Sequence, residues 1–391
     1  MHLFKNMTSY ILHGFFLLGA LVNISCNKEF DDGNFVPDYD VVPKYTNTDI
    51  DEAYKAFNEH LYDPVRKIYL RDSNKPQAVG AIWTQAVYWD MAMNAYKRNK
   101  TPENLKRIED LYEGNGKQYA NYDWTNDKEW FIYDDIMWWV ISMARAYEVT
   151  GDPKYLAHAE SGFDRVWYGV PGLDPGSYDT EHGGMFWDWT FGRVGKMSCI
   201  NYPTVVAAAT LYNITKKEDY LNKAKEIYQW SSDNIYDPLT GRIADSKHGN
   251  GSPNWTLHVY NQGSAIGAAT ELYAITKEAK YLDQAVLMAN YTRDVMSAPY
   301  TILPSEASEE KGIYTAIFAQ YMIRLIEVGD KAEYLPWLRR TIDYGWSNRD
   351  QARKLTSKNY LKKVGADEVV SCYDASGIPA LMLLIPSIAD Q

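Results

Sequence analysis

Asp134 and Asp135 stand side by side in "EWFIYDDIMWWVISMARAYEVTGD", residues 129–152, at the head of a stretch that otherwise reads as an apolar, aromatic helix. Two carboxylates this close repel one another. Flanked by Tyr133, Met137, Trp138 and Trp139, one of them is expected to keep its proton to unusually high pH. One ionised and one protonated carboxyl is the pairing that glycoside hydrolysis uses. Consecutive Cα atoms lie about 3.8 Å apart, so two side chains turned into one hollow suit the roughly 5 Å spacing of retaining enzymes better than the wider gap of inverting ones. Neighbours on a regular helix diverge by about 100°, which places the pair at the very start of the helix. The competing reading is capping, since Asp satisfies free N–H groups and suits the positive end of the helix dipole. Capping accounts for one aspartate more easily than for two.

The elements that would hold such a pair follow from internal similarity. The segments starting at Tyr96, Tyr147, Tyr212, Tyr273 and Ile326 ("YKRNKTPENLKRI", "YEVTGDPKYLAHA", "YNITKKEDYLNKA", "YAITKEAKYLDQA", "IEVGDKAEYLPWL") share one layout: a helix end, a tight polar turn, a new helix start. In the second copy Gly151 suits the helix C-terminus, Asp152 the following cap and Pro153 the first turn. The starts are 51, 65, 61 and 53 residues apart, too long and irregular for the ~34-residue tetratricopeptide period. Upstream of each turn lies a helix rich in Ala, Gly and aromatics, suited to close packing on both flanks; downstream lies a more charged helix with one apolar stripe. The stretches "DIDEAYKAFNEHLYD" and "ASGIPALMLLIPSIAD" at the two ends lack turn-linked mates. Pairing them closes the chain into an all-α (α/α)6 toroid of inner and outer helices, whereas an open solenoid would need capping helices at both ends. Inner-to-outer turns are short. The outer-to-inner connections, near residues 113–130, 168–200, 234–258, 296–311 and 347–374, are long and gather with Asp134 and Asp135 at the N-terminal ends of the inner helices.

Composition bounds the function. The 391 residues, 46% hydrophobic, can bury a sizeable core, and a net charge of −11 without a Lys/Arg run excludes a nucleic-acid binder. Thirteen Trp and 32 Tyr suit either a Trp-rich core or a cleft for a neutral sugar ring. The start, "MHLFKNMTSYILHGFFLLGALVNISC", reads as an export signal over residues 1–25 followed by a lipidation site at Cys26. Asn23 stands where such sites usually carry Leu, which leaves plain cleavage as the alternative. Residues 26–47 read as an acidic tether and 48–391 as the catalytic domain, giving an exported outer-membrane lipoprotein facing the cell surface or the periplasm. Cys199 and Cys372 read as ordinary buried residues. His182, His248 and His258 lie singly on loops, and neither a metal-ligand spacing nor a cofactor motif stands out.

At these residues a family resemblance enters. "YDDIMWW…ARAYEVTGDPKYL" resembles the catalytic segment of glycoside hydrolase family 76, the endo-α-1,6-mannanases. "HGGMFWDW" with Gly183, Gly184 and Trp187, "KMSCIN" with Lys196 and Asn201, "VYNQGSAIGAATELY" with Tyr260, Asn261, Gln262 and Gly263, and "EKGIYTAIFAQYM" with Lys311 and Gly312 are similar to later family stretches in the same order. The resemblance implies a retaining double displacement in which Asp134 is the nucleophile and Asp135 the acid/base. It further implies endo cleavage of the α-1,6 backbone of yeast-type mannan by a monomer that needs no cofactor. Trp83, Tyr133, Trp187, Lys196, Asn201, Tyr260, Asn261 and Lys311 are the candidate substrate-binding residues. Bland roles compete with several of these: Trp187 as a loop anchor, Asn261 as a helix cap, Lys196 and Lys311 as solvated side chains, and Trp138 and Trp139 as core. Two further readings stay open, a helical glycan-binding lipoprotein that does not cut and a transglycosylase on the same scaffold.

Overall fold

The computed structural model describes residues 44–189, 193 and 195–388. The signal segment 1–25, Cys26 and nearly all of the tether 26–47 lie outside the described residues.

Twelve α-helices are present among the described residues. The inner set is α2 (Ile82–Arg98), α4 (Tyr133–Thr150), α6 (Ser198–Thr215), α8 (Val259–Thr276), α10 (Tyr314–Gly329) and α12 (Cys372–Leu384). Each packs on the next, and α12 returns to α2, so the ring closes. The outer set is α1 (Asn47–Leu61), α3 (Pro102–Gln118), α5 (Pro153–Tyr168), α7 (Glu218–Asn234), α9 (Ala279–Tyr291) and α11 (Leu335–Ser347). The expected pairing of the two chain ends is present, since α1 packs on α12. Two residues read as tether take part in that closure. Tyr45 is fully buried and donates from its hydroxyl to the Ile385 carbonyl at 3.0 Å. Thr46 caps α1 in a reciprocal box with Asp49.

Local chemistry sets the short turns. Gly151 ends α4 at φ 75°, and Asp152 accepts from the Lys154 N–H at 3.0 Å to start α5. In the later repeats Lys216, Lys277 and Asp330 hold the same left-handed position at φ 59°, 61° and 55°. One turn geometry thus recurs under different residues, which is why the repeat is visible as a layout rather than as an identity. Between inner helices, a Cβ on Gly263 would lie 2.8 Å from Phe318 Cα, and one on Gly267 would lie 2.2 Å from the Tyr321 ring. Small residues are what let α8 and α10 approach. Most of the tryptophan surplus is core: Trp89, Trp130, Trp139 and Trp337 are fully or almost fully buried.

Two features differ from the sequence reading. α3 continues to Gln118 through "GNGK", where a loop was expected from residue 113. Gly114 is required there because any Cβ would meet the Lys67 carbonyl at 2.1 Å. That carbonyl lies in the turn of the second unexpected feature, a hairpin of β1 (Tyr62–Asp63) and β2 (Ile68–Tyr69). A second short pair, β3 (Lys196–Met197) with β4 (Ser246–Lys247), joins two of the long connections.

Candidate active site

The long connections meet over the N-terminal ends of the inner helices around a cleft of about 420 Å³. Asp134 and Asp135 occupy the first turn of α4 and both line this cleft, 8% and 9% exposed.

Neither carboxylate serves as the helix cap. Ile132 holds the N-cap position, with no side-chain hydrogen bond. Burial pushes Asp134 up to about 7, against the hydrogen-bonding side chains of Cys199, Trp187 and Trp138, which favour its charged form. Its Oδ1 is buried without a hydrogen-bond partner. Burial pushes Asp135 well above the usual carboxylate range, and the negative charges of Asp134 and Glu310 push it the same way with no donor in opposition. The two therefore differ in kind: Asp134 has neighbours that welcome its charge, and Asp135 has only neighbours that resist it.

The wall beside Asp134 is built by described residues of the connection between α5 and α6, 169–189 and 195–197. Tyr133 N–H donates to the Trp187 carbonyl at 2.9 Å, and Ile132 bridges Asp188, which sets Trp187 into the cleft. Three motif residues fasten this loop. Asn201, fully buried, accepts from the Met185 N–H at 2.8 Å and donates back to the Met185 carbonyl at 3.1 Å. Lys196 donates to Asp179 at 2.7 Å and to the Gly183 carbonyl at 2.5 Å. Burial raises Asp179, but Lys196 and the Glu181 and His182 N–H groups outweigh it and bring the carboxyl to about 2. Gly183 and Gly184, at φ 68° and 75°, complete the turn under Trp230, whose ring leaves no room for a Cβ on Gly184.

Of the candidate binding residues, Trp83, Trp187 and Tyr260 line the cleft. Trp83 donates to Glu310 at 3.1 Å, and Tyr260 stacks on Tyr314 with ring centroids 4.0 Å apart. Asn261 reaches the cleft through another residue, donating to Asp245 at 3.2 Å. The other four are elsewhere. Tyr133 is buried and donates to Asp174 at 2.6 Å, a carboxylate also held by Arg165 at 2.8 Å. Lys196 and Asn201 are the loop fasteners just described. Lys311 lies in the single turn Glu310–Ile313, outside the cleft lining, while its neighbour Glu310 faces in.

The sequence reading missed several wall residues. Trp138, read as core, forms part of the cleft, whereas Trp139 is core as expected and donates to the Ile82 carbonyl at 3.0 Å. Cys199, read as an ordinary buried residue, touches the cleft and Asp134. Asp245 and His258 also line it, and His258 pairs with Glu306 at 2.6 Å. Glu306 also accepts from the Val259 N–H at 2.7 Å, so one carboxylate caps α8 and orients the histidine. Glu310, Tyr314 and Cys199 sit inside the motif stretches, one to three residues from positions that were singled out. Asp245 and His258 lie in a loop without periodicity, which gave no signal.

A profile of glycosyl hydrolase family 76 matches residues 46–374 of the chain. Among solved structures, the alpha-1,6-mannanase of Salegentibacter sp. HEL1_6 superposes with a TM-score of 0.77 at 23% identity, covering 86% of this chain and 98% of that one. An inactive variant of that enzyme, with two consecutive aspartates replaced by asparagine, is known in complex with alpha-1,6-mannotriose. A family 76 mannosidase of Bacteroides thetaiotaomicron aligns with a TM-score of 0.73 at 18% identity over 86% of this chain and 97% of that one. Dfg5 of Chaetomium thermophilum, in complex with glucosamine, aligns with a TM-score of 0.71 at 14% identity over 88% and 91%. No curated protein matches the chain. These structural likenesses concern the toroid.

Proposed function

Because the chain belongs to glycosyl hydrolase family 76, we propose that it is an endo-acting, retaining α-1,6-mannanase that cuts the backbone of yeast-type mannan. The observation that carries this reading is the pair of consecutive aspartates in the cleft, both held toward protonation and only one of them surrounded by donors. The replaced aspartate pair of the inactive Salegentibacter variant supports it.

Asp134, whose charge is favoured by Cys199, Trp187 and Trp138, attacks the anomeric carbon. The bond from that carbon to the departing 6-oxygen breaks as the glycosyl-enzyme ester forms, and Asp135 gives its proton to the leaving oxygen. In the second half, ionised Asp135 takes a proton from water as the water displaces Asp134. Asp135 is the one that carries the proton into the reaction, because burial and every neighbouring charge oppose its ionisation. Trp83, Trp187 and Tyr260 supply flat apolar surface for sugar rings. Lipidation at Cys26, export and an outer-membrane location belong to the same proposal.

The test is incubation of the purified protein and its Asp134→Asn and Asp135→Asn variants with unbranched α-1,6-mannan, followed by product size and anomeric configuration. Short products that first appear in the α-configuration, from the parent alone, are expected. Inverted products or undiminished variants would overturn the mechanism. Products longer than the starting chains in the presence of an acceptor oligosaccharide would favour transglycosylation, and binding without any cleavage would favour a capture protein.

A further inference from the structure

Behind the wall that carries Trp187 lies a second chamber of about 520 Å³, with a different lining. The wall is extended chain, so its side chains alternate between two faces. Trp187 and Met197 face the cleft, while their neighbours Phe186 and Lys196 face the chamber, which Lys247, the cross-strand partner of Lys196, also lines. Trp230, Arg193, His182 and Asn234 also line it, and Asp179 is the one carboxylate in its lining among the described residues. The chamber is thus a basic, aromatic pocket on a chain whose net charge is −11.

The arrangement carries an electrostatic cost with no structural return. Lys196 and Lys247 are direct cross-strand partners in the β3–β4 pair, where like charges disfavour pairing. Lys196 is neutralised by Asp179 at 2.7 Å. Among the described residues Lys247 has no such carboxylate: its ammonium donates to the neutral Asn234 side chain at 2.7 Å. Among the described residues Arg193 donates to the Gly176 and Tyr178 carbonyls, with its guanidinium carbon 4.3 Å from the Phe186 ring centre. Two cations therefore face the chamber with neutral partners, beside the rings of Phe186 and Trp230.

We propose that this chamber is a second carbohydrate-binding site, for a sugar that carries an anionic group, with Lys247 and Arg193 taking the charge and the two rings taking the sugar face. Phosphate ester and carboxylate are the two sources of that charge. The site rests on the mannanase reading only for the idea that its ligand is a substituent of the same glycan.

Binding of mannose 6-phosphate, glucuronate and mannose to the full chain, measured by calorimetry, tests it. Mannose 6-phosphate is expected to bind at least tenfold more tightly than mannose and to lose that preference in Lys247→Glu. Equal affinity for charged and neutral sugars, or an unchanged preference in Lys247→Glu, would overturn the proposal. Glucuronate binding as tightly as the phosphate would assign the site to negative charge in general, and weaker glucuronate binding would assign it to phosphate; both support it. Hydrolysis of neutral α-1,6-mannan by the parent and by Lys247→Glu is measured in parallel. It is expected to be equal in the two, and its absence in both would count against the cleft reading while leaving the sugar-binding result to stand on its own.

Discussion

Deep in the ring and toward its turn end, Asp90 lies against Arg145, and Glu271 receives Arg324 through two contacts of 2.7 and 3.2 Å. At the loop end, Asp134 and Asp135 are equally enclosed by inner helices, yet what they face is indole, thiol and one another. Both regions bury carboxylates, and the difference is the guanidinium. A buried carboxylate beside a guanidinium has a cation to pair with and serves structure, whereas Asp134 and Asp135, without one, are forced toward the neutral form and are available for proton transfer. Removing groups at the two ends should therefore act on different properties.

The largest expected effect is on turnover. Asp134→Asn or Asp135→Asn should lower kcat on α-1,6-mannan by about a thousandfold or more, the scale of losing a nucleophile or a general acid. Neither change should lower the melting temperature, because each replaces a destabilised buried charge with a neutral isostere. Arg145→Met is the counterpart. It strands Asp90, whose Oδ1 already lacks a partner, and should cost about 3 kcal/mol or more of stability in denaturant titration. A variant pair with those two outcomes exchanged would break the contrast.

The contrast also has a pH signature. A carboxyl whose folded pKa is raised binds its proton more tightly in the native state than in the unfolded chain. Its favourable contribution is therefore complete below the unfolded value, near 4, and is lost as pH rises through the folded one. For Asp134 the loss runs to about pH 7, and Asp135, whose carboxyl is also pushed well above its usual range, loses its share in the same direction. The melting temperature of the parent, relative to the double Asp→Asn variant, should fall steadily between pH 4 and pH 8. A rising difference would show that the pair is ionised and paired after all.

Much of this was legible in the chain, for physical reasons that also mark where legibility ends. Ring closure could be read because a tight turn and a following helix start recur in every repeat, four of the five turns through a left-handed residue at Gly151, Lys216, Lys277 and Asp330. The aspartate pair could be read because like charges in an apolar run have no cheap structural use. Lys196 and Asn201 were read as sugar-binding residues, and the structure places them as fasteners of the loop, outside the cleft lining. A polar residue in a motif looks the same from sequence whether it touches a ligand or, as here, holds the backbone that presents Trp187. Asp245 and His258 were invisible as cleft residues because loop geometry, not periodicity, brings them in.

That distinction between touching and holding is open to measurement. Trp187→Ala should raise KM about tenfold, the worth of one stacking surface, with little change in stability. Asn201→Ala should reach the same KM by freeing the Met185 segment. It should also lower stability by about 1 to 3 kcal/mol, because the buried Met185 N–H and C=O lose their partner. If Asn201→Ala raised KM with no loss of stability, the residue would be a sugar ligand and the scaffold role would be wrong.

The smallest effect separates two neighbours. Glu310 faces the cleft, accepts from Trp83 and raises Asp135, whereas Lys311 lies outside the lining. Glu310→Gln keeps an acceptor for the Trp83 indole but removes a negative charge that resists ionisation of Asp135. Asp135 should then lose its proton more readily, and the alkaline limb of the kcat profile, where the general acid is lost, should move to lower pH. Lys311→Met should leave that limb in place and change stability by no more than about 0.5 kcal/mol, as is usual for a partly exposed side chain. Were the limb to move with Lys311 and not with Glu310, the charge that tunes Asp135 would come from the other residue, and the case for Asp135 as the proton donor would lose its physical basis.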